Sequence, residues 1–302
     1  MSGPVVVLAG GTGGAKLARG MLDVVGDDLV VVANTGDDIE VYGAYVSPDP
    51  DLVTFWLADL IDERGWGLAG DTFNVMDGLR ELGVEVWFNL GDRDLAIGLE
   101  RARALDAGQR LTKAHAQVVR TLGVEASVLP MSDAPVRTWV RAQSRLWPFQ
   151  EFMIKARGEG PVDDVEFRGA RSARATPEVL QAIETASAIV IGPSNPVISV
   201  GPILALADLK AAVRAAAAPV VAVSPLVRGA VVKGPTEPFL RWAGMPLTSG
   251  GIAELYAGVI DGLVADDRVA GVPVLETDVL MSDAAGRRRL AEETLRFSQA
   301  LA

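Results

Sequence analysis

The chain has no cysteine, which excludes disulfide staples, thiol nucleophiles and cysteine-ligated metals. Histidine is almost as scarce. His115 is the only one, so a Ser-His-Asp triad or a multi-histidine metal centre is ruled against. Its surroundings, LTKAHAQVVR, read as a polar helix with His115 on the surface. No apolar run approaches the roughly 18 residues of a membrane span. The N-terminus enters an apolar strand without the basic stretch and apolar core of an export signal, so a cytoplasmic protein is expected. Positive charge is short as well. A formal net charge of −11 disfavours a general nucleic-acid or anionic-membrane binder, while leaving room for a local basic pocket. Any chemistry must therefore use carboxylates, Lys and Arg, backbone amides and a hard metal ion.

What is present points to an ordered globular protein. The 302 residues are 49% hydrophobic and 22% charged, enough for a large core. The opening stretch VVVLAGGTGGAK runs from a β-branched strand at Val5 through Gly10, Gly11, Thr12, Gly13 and Gly14 into a helical pattern at Ala15, Leu17, Ala18 and Met21. A helix N-terminus offers unpaired amides and roughly half a positive charge, so a phosphate fits there, although a merely tight strand-to-helix turn reads the same way. Neither common fingerprint matches. GxGxxG fails because Lys16 stands where the third Gly belongs, and a Walker loop fails at Gly14-Ala15-Lys16-Leu17.

Further along, apolar strands alternate with helices, at Leu29 to Ala33, Val84 to Phe88, Ala188 to Ile191, Val220 to Val223 and about Pro273 to Leu275. This predicts an α/β fold: a three-layer, Rossmann-like, mostly parallel sheet covered on both faces, with ligands beyond the C-terminal strand ends. Residues 34–51, NTGDDIEVYGAYVSPDPD, read as a long loop bearing Asp37, Asp38, Asp49 and Asp51. Four acids suit a cation such as Mg²⁺, and equally a solvated turn with a helix cap at Asp51. Asp71 reads as the cap of the next helix, whereas Asp92 and Arg93 have no evident structural duty. Residues 126–175 break the pattern and read as an inserted lid or subdomain between core segments 1–125 and 176–302. Trp147 and Phe149 lie in it, with Arg137, Arg141, Arg145, Lys155 and Arg157 making it basic, either to face an anionic ligand or to balance the acidic core. The C-terminal helix from Asp283 reads as structural.

Taken together, GGTGGAK (10–16), NTGDD (34–38), SPDPD (47–51), GDTFN (70–74), GDRDLA (91–96), MSD (131–133), GPSNPVISVGPIL (192–204) and SPLVRGAVVKGP (224–235) resemble the 2-phospho-L-lactate transferase family, the CofD/FbiA proteins of deazaflavin coenzyme F-420 biosynthesis. The resemblance implies a Mg²⁺-dependent transfer. A phospholactyl or phosphoenolpyruvyl group would move from its guanosine-diphosphate adduct to the ribityl hydroxyl of the deazaflavin Fo, releasing GMP, in an enzyme expected to be a homodimer.

Carried onto this chain, the resemblance gives the diphosphate to the amides of Gly10 to Gly14 and to Lys16. It gives Mg²⁺ to Asp37 and Asp49, with Asp38 or Asp51 as alternates and one carboxylate serving the attacking hydroxyl. Arg228 or Lys233 would offset charge on the leaving GMP, and Ser194 and Asn195 would bind the nucleotide. Asn34, Thr35, Asp71, Thr72, Phe73, Asp92, Pro196 and Ser224 complete the implied binding set. The segment from Trp66 to Phe73 and the lid aromatics would flank the deazaflavin.

Only 5 of the 28 basic residues are Lys, a bias expected of a GC-rich bacterial genome and hence, by the resemblance, of the phosphoenolpyruvate variant. The rival readings are a UDP-sugar-binding regulator of the gluconeogenesis-factor-like type, which lacks counterparts to SPDPD and GDTFN, and a nicotinamide dehydrogenase, disfavoured by the failed third glycine.

Overall fold

The structure is a computed structural model that describes residues 3–302. Its centre is a seven-stranded sheet with every pairing parallel, in the spatial order Val274–Glu276, Gly262–Ala265, Val220–Val223, Ala188–Ile191, Val5–Ala9, Leu29–Ala33, Ser127–Pro130. Numbered along the chain, the order is that of a doubly wound nucleotide-binding sheet, so the expected three-layer Rossmann-like fold is the observed one.

The reason lies in the strand sequences. Successive side chains point to opposite faces, and a strand apolar at every position must be covered twice. Val6 and Leu8 face one core with Ile189, Ile191 and the helices Pro177–Glu184 and Ala207–Ala215. Val5, Val7 and Ala9 face the other, with Leu17, Ala18 and Met21 of helix Gly11–Val25 and Leu290 and Leu295 of helix Ala284–Leu301. The two helices on this second face approach closely at Gly20, where a Cβ would lie 2.4 Å from the carbonyl oxygen of Arg287.

Three expectations are corrected. The supposed long loop 34–51 is a hairpin, Ile39–Val41 with Ala44–Val46, followed by a helix that starts at Pro48. The turn residues Tyr42 and Gly43 both have positive φ, as a two-residue hairpin demands, and Pro48 is preset for the first helical turn. Val84 to Phe88 is not a strand. Among the described residues no strand pairs with it, and Val86 and Phe88 instead cover a satellite cluster around Met76, Leu90 and Leu95.

The third correction concerns the insertion, which begins later than 126. Ser127–Pro130 is the edge strand of the main sheet, and the excursion closes at a Ser132 to Ala175 bridge. It carries a three-stranded antiparallel sheet, Arg145–Pro148, Arg137–Ala142 and Val162–Arg168, and the helix Phe149–Ile154. Phe152 packs edge-on to Phe239 of the main body at 6.1 Å between centroids, with Val197 and Ile198 in the same cluster, so the subdomain is seated beside the sheet's carboxyl end.

Candidate active site

Strand order reverses between Val5–Ala9 and Ala188–Ile191, the place where doubly wound sheets open a crevice. The two loops leaving these strands meet there. The Gly14 amide donates to Ser194 Oγ (3.0 Å) and the Gly192 amide to the Leu8 carbonyl (3.0 Å). A Cβ on Gly13 would sit 1.8 Å from the Pro193 carbonyl oxygen, and one on Gly10 would sit 2.7 Å from Ser199 Cβ. Glycine is thus required here first for loop-to-loop closure. We predict that Gly13→Ala destabilises the protein by about 1–3 kcal/mol, the usual cost of overpacking, measured as a lowered urea midpoint. An unchanged midpoint would mean that the loops separate freely.

The closure also decides which amides face the cavity. Gly11 donates to Asp49 Oδ1 (2.7 Å) and Gly14 to Ser194, while the amides of Thr12 and Gly13 lie in the first helical turn, which has no i−4 carbonyl to bond, and among the described residues no acceptor outside the helix takes them. Both residues line a cavity of about 520 Å³.

Asp37 and Asp49 line the same cavity and are both buried. Asp49, on the first turn of helix Pro48–Leu57, is fixed by the Gly11 amide and by Asn34 Nδ2 (2.9 Å). Asn34 is itself anchored by the Gly36 amide (2.7 Å) and by its own amide to the Ala9 carbonyl (3.1 Å). Among the described residues Asp37 Oδ1 is buried without a hydrogen-bond partner. Burial, and then the charge of Asp49, push the Asp37 carboxyl well above the usual carboxylate range. Burial pushes Asp49 up to about 6, against the opposing bonds from Asn34 and Gly11. Two buried carboxylates, one with an unclaimed oxygen, are what a divalent cation would relieve. Among the described residues no group of three or more acidic, His or Cys side chains forms an all-protein metal cage. The pair therefore fits Mg²⁺, which takes one or two carboxylates and fills its shell with substrate phosphates and water.

The other two acids are committed elsewhere. Asp38 accepts from Tyr45 Oη (2.9 Å) and Ser47 Oγ (2.8 Å), and burial pushes it up to about 7 against the pull of Arg137. Asp51 is held by both terminal nitrogens of the fully buried Arg101, and neither acid lines the cavity. His115, expected on the surface, is fully buried. It lies 3.8 Å from Asp51 and 3.2 Å from Thr54 Oγ1, and burial and then Arg101 hold its pKa well below the ordinary value. The cause was present in the spacing: Leu111, His115 and Val119 form the buried face of helix Leu111–Thr121.

Lys16, Lys233, Ser194, Asn195 and Ser224 line the cavity; Pro196 and Arg228 do not. Asn195 Oδ1 caps the amides of Val197 and Ile198, leaving its Nδ2 buried and, among the described residues, unpartnered. Arg228 is exposed at the tip of the Leu226–Val227 and Ala230–Val231 hairpin, where it and Gly229 have positive φ. Thr35 is buried away from the cavity. Asp71, Thr72, Phe73 and Asp92 lie outside it and build a crossed pair of helix caps. The Asp71 carboxylate accepts the amides of Arg93 (3.0 Å) and Asp94 (3.1 Å), opening helix Asp92–Asp106. Asp92 accepts Thr72 Oγ1 (2.6 Å) and the Asn74 and Val75 amides, opening helix Asn74–Glu81. Asp92 thus has the structural duty that its sequence context did not reveal.

Trp66 and Phe149 are the aromatics on the cavity wall, whereas Trp147 stacks on Arg145 at 3.9 Å. The basic lid residues largely balance acids: Arg137 pairs with Glu40, and Arg145 and Lys155 with Glu151. Gln150, which sequence reasoning passed over, bonds the Asp37 carbonyl (3.2 Å) and so ties the insertion to the acidic pair.

Comparison with known proteins identifies the family by sequence and the fold by structure. Residues 5–285 match the family model described as 2-phospho-L-lactate transferase CofD. The chain is 36% identical over 299 residues to a 2-phospho-L-lactate transferase of Methanosarcina mazei, covering 95% of this chain and 98% of that protein. It is 37% identical over 313 residues to a phosphoenolpyruvate transferase of Kitasatospora aureofaciens, with 98% of each chain covered. Two crystal structures of the Bacillus halodurans protein BH3568, one titled as a member of the UPF0052 family, share the fold, with TM-scores of 0.59 and 0.63 at 16% identity. They cover 100% and 97% of this chain and 99% of the neighbour in each case.

Proposed function

Since this chain belongs to the 2-phospho-L-lactate transferase CofD family, and so is a transferase of that type, we propose that it moves a phosphoenolpyruvyl or 2-phospho-L-lactyl group from its guanosine-diphosphate adduct to the ribityl hydroxyl of Fo. In the reaction the phosphorus bearing the transferred group gains a bond to the ribityl oxygen, loses its bond to the GMP oxygen, and the hydroxyl gives up its proton. One observation supports this reading most: the buried Asp37 and Asp49 pair stands beside the open amides of Thr12 and Gly13 in a single cavity.

The chain's own groups divide the work. The Thr12 and Gly13 amides, at the positive end of helix Gly11–Val25, donate to diphosphate oxygens, and Lys233 adds positive charge at the cavity. Ser194, Asn195 and Ser224 offer hydroxyl and amide groups to the nucleotide, the unpartnered Nδ2 of Asn195 among them. Asp37 and Asp49 are the residues that would hold Mg²⁺, which when bound neutralises the phosphoryl oxygens and favours displacement. One of these two carboxylates, through an oxygen that the ion leaves free, would take the hydroxyl proton. Trp66 and Phe149 supply the flat apolar surfaces for the deazaflavin. Homodimerisation and a cytoplasmic setting belong to the same proposal; among the described residues no helix is long and apolar enough to cross a membrane.

Separate titrations with Fo and with a UDP-sugar test the reading against a regulatory binding protein. The transferase binds Fo with quenching of tryptophan fluorescence that Trp66→Leu diminishes. Binding of the UDP-sugar without any binding of Fo would assign the chain to the regulators.

A further inference from the structure

Lys16 and Lys233 line this cavity, and Arg287, behind its wall, stands beside Lys16; among the described residues no acid pairs with any of the three. Lys16 finds only the Met281 carbonyl, at 3.4 Å, and Lys16, Lys233 and Arg287 form no ion pair among the described residues. Burial first, then the charges of Arg287 and Lys233, lower the Lys16 ammonium's pKa. Asp59, whose field reaches Arg287, is already held by two nitrogens of Arg19 at 2.8 Å each.

Lys16 and Arg287 share one aromatic neighbour. The Lys16 ammonium lies 5.7 Å and the Arg287 guanidinium 5.2 Å from the ring centroid of Trp56. Arg287 Nε and Trp56 Nε1 are both buried with no acceptor among the described residues. Such a site has donors and positive charge and nothing to receive them. Like charges gathered this way carry an electrostatic cost that an anionic ligand removes.

The position selects the anion. The open amides of Thr12 and Gly13 begin helix Gly11–Val25, and Lys16 lies about one turn further on, roughly 5 Å along the axis at 1.5 Å per residue. In the donor, the carboxylate carbon of the transferred group is three bonds from the reacting phosphorus, a comparable reach. We infer that Lys16 and Arg287, set against Trp56, form a subsite for the carboxylate of the transferred group. The inference rests on the proposed transferase reading and adds Arg287, from the last helix, to the donor-recognition residues. It also separates two duties: amides and acids hold the diphosphate, and the basic pair recognises the three-carbon acid beyond it.

Calorimetric titrations of the full chain with GDP and with the guanosine-diphosphate adduct of phosphoenolpyruvate, both in Mg²⁺, test it. For R287Q the adduct is expected to bind about tenfold or more weakly, the loss of a charge-assisted bond, with GDP affinity within about twofold of wild type. R287K keeps the charge without the planar fork and falls between the two. Equal weakening of GDP and adduct by R287Q, or unchanged adduct affinity beside normal GDP binding, overturns the subsite and leaves the transferase reading standing. A wild-type chain that binds neither ligand overturns both.

Discussion

Asp49→Asn lowers the transfer rate by about 10²- to 10³-fold, on the scale of losing one preorganised electrostatic group from an active site, while folding stability moves by only about 1 kcal/mol. The two effects separate because Asp49 has two roles. As an acceptor it holds the Gly11 amide and Asn34 Nδ2, and an asparagine oxygen keeps one of those bonds. As a charge it stands beside Asp37 in a buried cavity, and removing that charge relieves a repulsion, which offsets the lost bond to Asn34. Thermal unfolding with and without Mg²⁺ reads both roles. Wild type gains stability from the ion by mass action, about 2.7 kcal/mol at a hundredfold excess over Kd, and the variant does not. If D49N retained both full activity and the Mg²⁺ response, Asp49 would have no part in holding the metal.

Arg101→Met is the substitution with the largest expected stability loss, about 3–5 kcal/mol, because it leaves the buried Asp51 carboxylate without its partner. At roughly 2–4 °C per kcal/mol this lowers Tm by about 10 °C. Arg101 also binds the Tyr45 carbonyl (3.0 Å), so it joins helix Asp92–Asp106 both to the hairpin and to the helix whose first turn carries Asp49. Activity therefore falls along with stability. The double variant R101M/D51M replaces the whole pair with apolar side chains and recovers most of the loss. It also separates the two roles considered for Asp51. A stable double variant that still responds to Mg²⁺ leaves Asp51 structural, whereas a stable one that has lost the response makes it a metal ligand.

The same physics decides which elements show in the sequence. Val5–Ala9, Leu29–Ala33, Ala188–Ile191 and Val220–Val223 are legible because a strand buried on both faces is an unbroken apolar run, and glycine, Asn or Ser punctuates its end. Asp37 and Asp49 are legible as candidates because the acid-rich segment that follows such a strand stands where ligands bind. Which of four acids faces the cavity is not legible. Asp38 and Asp51 are claimed by Tyr45, Ser47 and Arg101, and the last of these is 50 residues away from Asp51.

The crossed caps hide for the same reason. Asp71 and Asp92 each open the helix that follows the other, so neither shows its duty within its own helix's sequence. Arg287 is harder still, since nothing near it in the chain marks it; only the packing of the last helix on helix Gly11–Val25 brings it to Lys16. The glycine-rich stretch is read correctly as a strand-to-helix turn, but Gly13 and Gly14 are required by Pro193 and Ser194, residues the local motif cannot reveal.

The most direct test of the account is to incubate the full chain with Fo, Mg²⁺ and each guanosine-diphosphate adduct in turn, and to follow GMP release and product mass together. One GMP per modified Fo is expected with at least one of the two donors, the phosphoenolpyruvyl and phospholactyl products differing in mass by two hydrogens. GMP release that leaves Fo unmodified, or no release from either donor while Fo is bound, would contradict it.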